Sequence, residues 1–327
     1  MATAVGSELG VPAASRSVAE RLAGRTIRID PRETEFGVRG FAPCPAGVRR
    51  ELELHGRSFV DGFNAAGATA GGKPLVARLE RIETARRGFA YEGAAMALAL
   101  LDILLPGRRR RLRAFLDQAA APHVYMVHVG AGWALARLRR RPWAGLPLDP
   151  LLRWLALDGY GFHEAFFHPR RVVREQRRPR RLRGYEPRGF DQGVGRALWF
   201  VDAADPERIA ASIAAFQQDR RPDLWSGVGL AATYAGAAAD EALLRLAELG
   251  SVHRVQLAQG AAFAAKARLR AGNLVPHVER ACAVLTGVGA GEAAAATDRA
   301  LAAAGPAGSA GDYERWRVAV GAELGVR

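Results

Sequence analysis

The sequence predicts an all-α fold: about six stacked helical hairpins in a tetratricopeptide-like α-solenoid. An N-terminal helical or extended segment precedes the array and a helix caps its C-terminal end. Three observations carry this prediction. A glycine followed two residues later by Gly or Ala recurs at Gly93, Gly130, Gly159, Gly193, Gly227 and Gly260. The successive gaps are 37, 29, 34, 34 and 33 residues, close to the roughly 34-residue period of paired-helix repeats. Helix start and stop signals fall between these glycines. The stretch GFDQGVGRALWFVD, 189–202, also has a near-twin in GFAYEGAAMALALLD, 88–102. Serial repetition of one hairpin and duplication of a three-hairpin block both fit.

Residues 1–44 read as a partly loose arm. A short helix near 17–22 is stopped by Gly24. Residues 26–30 alternate apolar and polar side chains, as a lone strand or an extended arm would. The repeat domain spans 45–287. Pro45 opens a helix to about residue 66, with Val48, Leu52, Phe59 and Phe63 at helical spacing. Glycines between 67 and 72 break it, and a second helix covers about 74–86. Residues 91–105 form a helix ended by Pro106-Gly107, with 108–119 as its partner. Pro122 starts the next, to about Leu138. Asp149-Pro150 and Asp205-Pro206 each combine an N-cap with proline at the first helical position. Pro222 and Pro276 start two more. An Arg-rich insertion at 169–187, PRRVVREQRRPRRLRGYEP, breaks the period, and Pro179 and Pro187 oppose a continuous helix there. The capping region, 288–327, holds an Ala-rich helix at 291–304, a Gly/Pro linker, and an amphipathic end carrying Tyr313, Trp316 and Val320.

Composition narrows the function. The chain has 327 residues, is 49% hydrophobic and carries a formal charge of +14. Lys73 and Lys266 are its only lysines. The bias to Arg, Ala and Gly accounts for the basic charge as a coding habit; an anionic partner is the functional alternative. No aromatic-interleaved basic motif or zinc pattern points to nucleic acid. Cys44 and Cys282 form no disulfide or metal framework. The N-terminus lacks the basic segment and apolar core of a leader peptide, and a cytoplasmic location is expected. The apolar stretches at 93–105 and 124–138 fall short of the ~20 residues a spanning helix needs. Peripheral membrane contact is left open.

With each repeat glycine as origin, positions +1, +4 and +5 share one helical face. In five repeats that face is small and apolar, as in Val228, Ala231 and Ala232. It predicts either close helix contact or an apolar inner groove. The third repeat departs, with Tyr160, His163 and Glu164. The residue before the glycine is polar in five repeats: Glu92, Asp158, Gln192, Ser226 and Gln259. This row either bonds to neighbouring backbone or forms a ladder facing a ligand. His163, Glu164, Glu92 and Asp158 are the candidate acid/base residues. Tyr160, Gln192, Gln259, Ala231 and Trp133 are the candidate ligand contacts. His163 and His168 are spaced i, i+5, against the i, i+4 that zinc on one helix requires. The Gly-x-Gly pairs follow no clear strand and lack a third glycine, which argues against a dinucleotide. No serine elbow is present. Asp191, Arg196, Asp223 and Arg221 suit ion pairs between repeats. No cofactor or metal is expected. The Arg-rich insertion is a solvated loop or a docking arm for an acidic partner or phosphate.

The runs GFAYEGAAMALALLD, HVGAGWALARL, WLALDGYGFHEAFFH, FDQGVGRALWF, RRPDLWSGVGLAATYAG and QGAAFAAKAR resemble the UnbL-like family, domain of unknown function family 1702. The resemblance covers about residues 36–316. It implies an accessory role in enediyne polyketide core biosynthesis, with a linear polyene intermediate or polyketide-pathway proteins as partners. It transfers no catalytic residue or cofactor. A small-residue groove would suit such a rigid apolar chain. The alternatives are a cofactor-independent cyclase or isomerase acting on the polyene, and a pure protein–protein scaffold.

Overall fold

The computed structural model describes residues 18–105, 110–140, 145–304 and 308–326, and the regular elements among them are all helical. Residues 1–17 of the predicted arm, the Pro106-Gly107 stop and residues 305–307 of the predicted linker lie outside the described residues.

Helix α1 (Val18–Thr26) continues through Gly24 instead of stopping there. The predicted strand that follows is an extended segment without a partner strand. The Asn64 side chain takes that partner's place: it accepts from the Ile29 N–H at 3.0 Å and donates to the Ile29 carbonyl at 2.9 Å. Both backbone groups are thereby satisfied, and Ile27 and Ile29 are buried. After α2 (Phe36–Arg39) comes α3 (Ala46–Thr69), which runs past Gly67, where a break was expected. It ends at Ala70, which takes φ 57°. The remaining helices are α4 (Gly72–Leu79), α5 (Thr84–Leu104), α6 (Arg111–Gln118), α7 (Val124–Arg137), α8 (Leu155–Phe167), α9 (Glu186–Val201), α10 (Pro206–Ala214), α11 (Arg221–Ala235), α12 (Asp240–Leu249), α13 (Arg254–Arg270), α14 (Pro276–Thr286), α15 (Ala290–Ala304) and α16 (Ala310–Glu323).

These helices form two rows. Helices α3, α5, α7, α8, α9, α11, α13 and α15 pack on one another in chain order. Shorter helices lie behind them, with α10 on α12 and α12 on α14. Asp205 caps α10 by accepting the Arg208 N–H at 3.0 Å, as its position predicts. Asp149 instead caps a 3₁₀ turn, Leu152–Trp154, ahead of α8. Behind α8 the Arg-rich insertion holds a π-helical turn, Arg170–Arg174, and then irregular chain. Pro187 lies in the first turn of α9 and so starts a helix. At the C-terminal end α16 covers α13 and α15, burying Tyr313, Trp316 and Val320.

Backbone contact between neighbouring helices explains the repeated glycines. A Cβ on Gly130, Gly159, Gly193, Gly227 or Gly260 would lie 1.8–2.1 Å from a carbonyl oxygen of the preceding helix. That oxygen belongs to Glu92, Val129, Asp158, Gln192 and Ser226 in turn, the residue just before the preceding repeat's glycine. The second glycine meets the following helix: Gly132 rests on Ala156, Gly161 on Phe190, Gly195 on Leu224 and Gly229 on Leu257. The same rule extends the series one helix earlier. Gly62 of α3 rests on the Ala90 carbonyl, and Gly93 rests on that of Phe59. Val60 occupies the leading position there, so a search keyed on glycine passes over it.

The first row curls until its late helices reach its early ones. His55 Nε2 of α3 lies 2.7 Å from the Ala235 carbonyl at the end of α11. Arg268 of α13 donates to the Ala85 carbonyl of α5 at 2.5 Å. Of the two expectations for the small-residue face, this closure agrees with close helix contact and not with an open groove. Positions +1, +4 and +5 point about 40–140° from the leading glycine at ~100° per residue. Those residues, Ala231 among them, are buried in the packed core. The centre is lined from positions −4, −1, +3 and +7, which cluster at about −20° to −100° on the opposite side.

Candidate functional site

At the centre of the curl Arg196, the +3 residue of α9, meets the carboxylates of two other helices. It forms an ion pair and hydrogen bond with Asp158 of α8. Its Nη2 lies 3.9 Å from Glu92 Oε1 of α5. Gln192 donates to the other Asp158 oxygen at 2.8 Å. All are buried; Glu92 is 2% exposed, Arg196 4% and Asp158 1%. The regular glycine contacts put the −1 residues of adjacent helices side by side, so the polar row becomes a ladder. Farther along, Ser226 donates to Gln259 Oε1 at 2.7 Å, and Arg317 of α16 reaches the same oxygen at 3.3 Å. The row thus bonds side chain to side chain between repeats, where bonds to backbone were one expectation.

The cluster is incompletely paired. Arg196 Nε has no hydrogen-bond partner, and the other contacts are loose: Glu92 lies beside the Trp133 indole and Gln192 beside Tyr313 without well-formed bonds. Burial pushes the Glu92 carboxyl up to about 7, against the opposing pull of Arg196 and with the Asp158 charge adding to the rise. A buried acid poised near neutrality can hold or release a proton under ordinary conditions. A buried donor without a partner costs free energy, and Arg196 Nε is such a donor, beside an acid whose own contacts are loose.

Two apolar clefts adjoin the cluster, and Arg196 lines both. The first holds about 490 Å³ of empty space, its open mouth included, between Tyr125, Met126, Val129, Leu230, Phe263 and Trp316, with Asp158 and Tyr234 also on its wall. The second holds about 510 Å³ on the same measure. Phe59, Phe89, Trp133, Phe162, Phe166 and Phe200 wall it, and Glu92 reaches into it. Water-sized molecules find only about 30 and 40 Å³ of room in the two clefts. They are therefore narrow, and a bulky ligand must spread their walls.

The structure divides the predicted site residues into separate groups. Glu92, Asp158, Gln192 and Trp133 come together around Arg196. Gln259 lies farther along the ladder beside Arg317. Tyr160, His163 and Glu164 occupy the +1, +4 and +5 face of α8 and line neither cleft, His163 standing behind Trp133 and Phe167 of the second. His163 is packed edge-on against Trp133 with ring centroids 5.6 Å apart, and burial lowers its pKa. Glu164 pairs with Arg171. Burial would raise its pKa, but His163 and Arg171 outweigh that and hold the carboxyl below the usual range. Of the predicted inter-repeat ion pairs, Asp191 takes Arg220, while Arg221 bonds to carbonyls. Asp223 takes Arg188 and Arg317. Among the described residues no group of three His, Cys, Asp or Glu side chains is placed to hold a metal ion.

Arg196 is the functional candidate that sequence reasoning set aside. Its signal was present: position +3 is Phe63, Met96, Trp133, Phe162, Leu230 and Phe263 in the other repeats, and Arg196 is the one charged residue. The fold and this site define an all-helical repeat protein with a buried acid–arginine cluster between apolar clefts. Residues 18–324 match the family model described as "Protein of unknown function (DUF1702)", and the chain belongs to that family. No curated protein and no solved structure matches the chain at a significant level. No helix among the described residues is long and apolar enough to cross a membrane.

Proposed function

We propose that this protein is an accessory factor of enediyne polyketide core biosynthesis that binds a linear polyene intermediate or scaffolds the proteins that mature it. The observation that carries the polyene reading is the pair of narrow apolar clefts sharing Arg196. A conjugated chain is flat and thin, matches aromatic walls, and gains about 25 cal/mol for each Å² of apolar surface buried. Arg196 and Glu92 give such a chain one polar locus at which to fix its register. The same reading treats the two helix rows as tetratricopeptide-like hairpins and places the protein in the cytoplasm.

Glu92 favours a second reading, a cofactor-independent isomerase or cyclase. As carboxylate it would remove a proton from one carbon of the chain. As carboxylic acid it would return that proton at a carbon farther along, shifting double bonds without net gain or loss of electrons. Asp158 would hold Arg196 in place. His163 and Glu164 have no part in this version, because neither lines a cleft.

Incubating the purified protein with a linear polyene and following the chromophore separates these readings. Saturable retention with an unchanged spectrum supports a binder. A spectral change that Glu92→Gln abolishes supports the enzyme. No retention and no change, together with a stable complex with pathway proteins, leaves the scaffold.

A further inference from the structure

Another concavity lies on the far side of α8, independent of the two clefts. Arg139 at the end of α7 and Arg171, Arg177, Arg178, Arg180 and Arg181 of the insertion surround about 1060 Å³ of space open to solvent, with Tyr160 also lining it. Glu164 is the single acid on its wall. Arg171 pairs with Glu164, Arg177 with Glu175 at 3.0 Å, and Arg178 lies 3.6 Å from Asp191, whose closer partner is Arg220. Arg139, Arg180 and Arg181 meet no carboxylate among the described residues, which leaves an excess of at least three positive charges.

These charges are held together against their repulsion. Arg181 lies 5.4 Å from the centre of the Tyr160 ring and donates to the Arg139 carbonyl at 2.6 Å. Its Nε is buried and has no partner. Arg139 itself adopts φ 49°, a left-handed conformation unfavourable for a side-chain-bearing residue. Like charges crowded in a concave site, with a forked donor unfilled and backbone strain beside it, are stabilised by an anion. A lone carboxylate has one charge to offer; a phosphate monoester or diphosphate offers two or more and accepts paired guanidinium bonds. The concavity suits a group that enters it, as small-molecule sites do.

We infer that this arginine pocket between the end of α7 and the 169–187 insertion binds the phosphate or diphosphate group of a small molecule. The probe is inorganic pyrophosphate, titrated calorimetrically into the full chain at about 0.15 M salt, where loosely held surface charges are screened. Saturable binding is expected. Arg180→Gln with Arg181→Gln should weaken it at least about tenfold. Arg280→Gln with Arg299→Gln, an equal charge change elsewhere, should leave it unaltered. Arg180→Gln alone guards against misfolding, because that side chain is exposed; it should weaken binding with an unshifted melting temperature. Absence of saturable binding overturns the inference, as does equal weakening by both double variants or full binding by Arg180→Gln.

Discussion

Glu92 is where the chemistry of a single residue is most exposed to test. Its folded-state pKa is raised to about 7 from 4.5, so the folded protein holds this proton more tightly than the unfolded chain. The resulting stabilisation is fully present below about pH 4.5 and is lost as pH rises toward 7. Glu92→Gln removes that loss. Urea denaturation should show the variant gaining on wild type between pH 5 and pH 8, by an amount on the order of 3 kcal/mol; parallel pH profiles would refute the raised pKa. Arg196→Met tests the other half of the pair. It leaves Asp158 buried without its cation, which costs about 3–5 kcal/mol. Removing the exposed Arg113, bonded to Asp117 on the surface, should cost no more than about 1 kcal/mol. At this scale the sequence was half legible. The −1 row identified Glu92 and Asp158 because polar residues at a repeated position next to glycine are conspicuous. His163 and Glu164 came from the +1, +4 and +5 face, and spacing alone does not reveal whether that face meets the centre or a neighbouring helix.

Along each helix of the first row the controlling feature is the absence of a side chain. Gly227 brings α11 so close to α9 that an added Cβ would lie 1.9 Å from the Gln192 carbonyl. Backbone cannot yield as a flexible side chain does, so Gly227→Ala should destabilise by about 3 kcal/mol or more. Gly47 lies in α3, and a Cβ added there would meet nothing within 4 Å. Gly47→Ala should therefore stabilise by about 0.5–1 kcal/mol through helix propensity. Thermal melts of the two variants should shift in opposite directions; shifts of one sign would contradict the contact pattern. The helices were legible from spacing and caps because the glycines recur for a local geometric reason. Val60 broke the signature without breaking the geometry, and the Asn64 clasp on Ile29 is a contact over 35 residues that no local pattern encodes.

Closure of the first row belongs to the whole molecule. The carbonyl end of α11 is held by groups from three other helices: Trp199 bonds to Gly236 at 2.9 Å, His55 to Ala235 at 2.7 Å, and Arg268 to Tyr234. His55 also stacks on Phe89 with centroids 4.5 Å apart. Burial lowers its pKa from 6.5 to about 3, with Arg268, His277 and Arg86 nearby opposing a further positive charge. The unfolded chain therefore takes up this proton first. The stabilisation is full above about pH 6.5 and is lost as pH falls toward 3. His123 and His277, both lowered to about 4, act in the same direction. Stability should decline below pH 6.5, and His55→Phe should reduce the slope between pH 6 and 5 by up to about 1.4 kcal/mol per pH unit; an unaltered slope would contradict a buried neutral imidazole at the seam. The repeat period announced a row of helices but not its curvature, which brings together residues far apart in sequence, His55 with Ala235 and Arg268 with Ala85. Spacing therefore left close helix contact and an open groove as alternatives for the small-residue face, and the lining of the centre comes from the opposite face.

The proposed binding of a linear polyene places it in the clefts around Arg196. Quenching of intrinsic tryptophan fluorescence by the polyene tests it most directly, since Trp133 and Trp316 line the two clefts. Wild type should quench saturably. Leu230→Trp, which crowds the first cleft from a partly exposed position, should remain folded and bind at least about tenfold more weakly, a loss of about 1.4 kcal/mol. Absence of saturable quenching in wild type, or equal affinity in a folded Leu230→Trp variant, would contradict the claim.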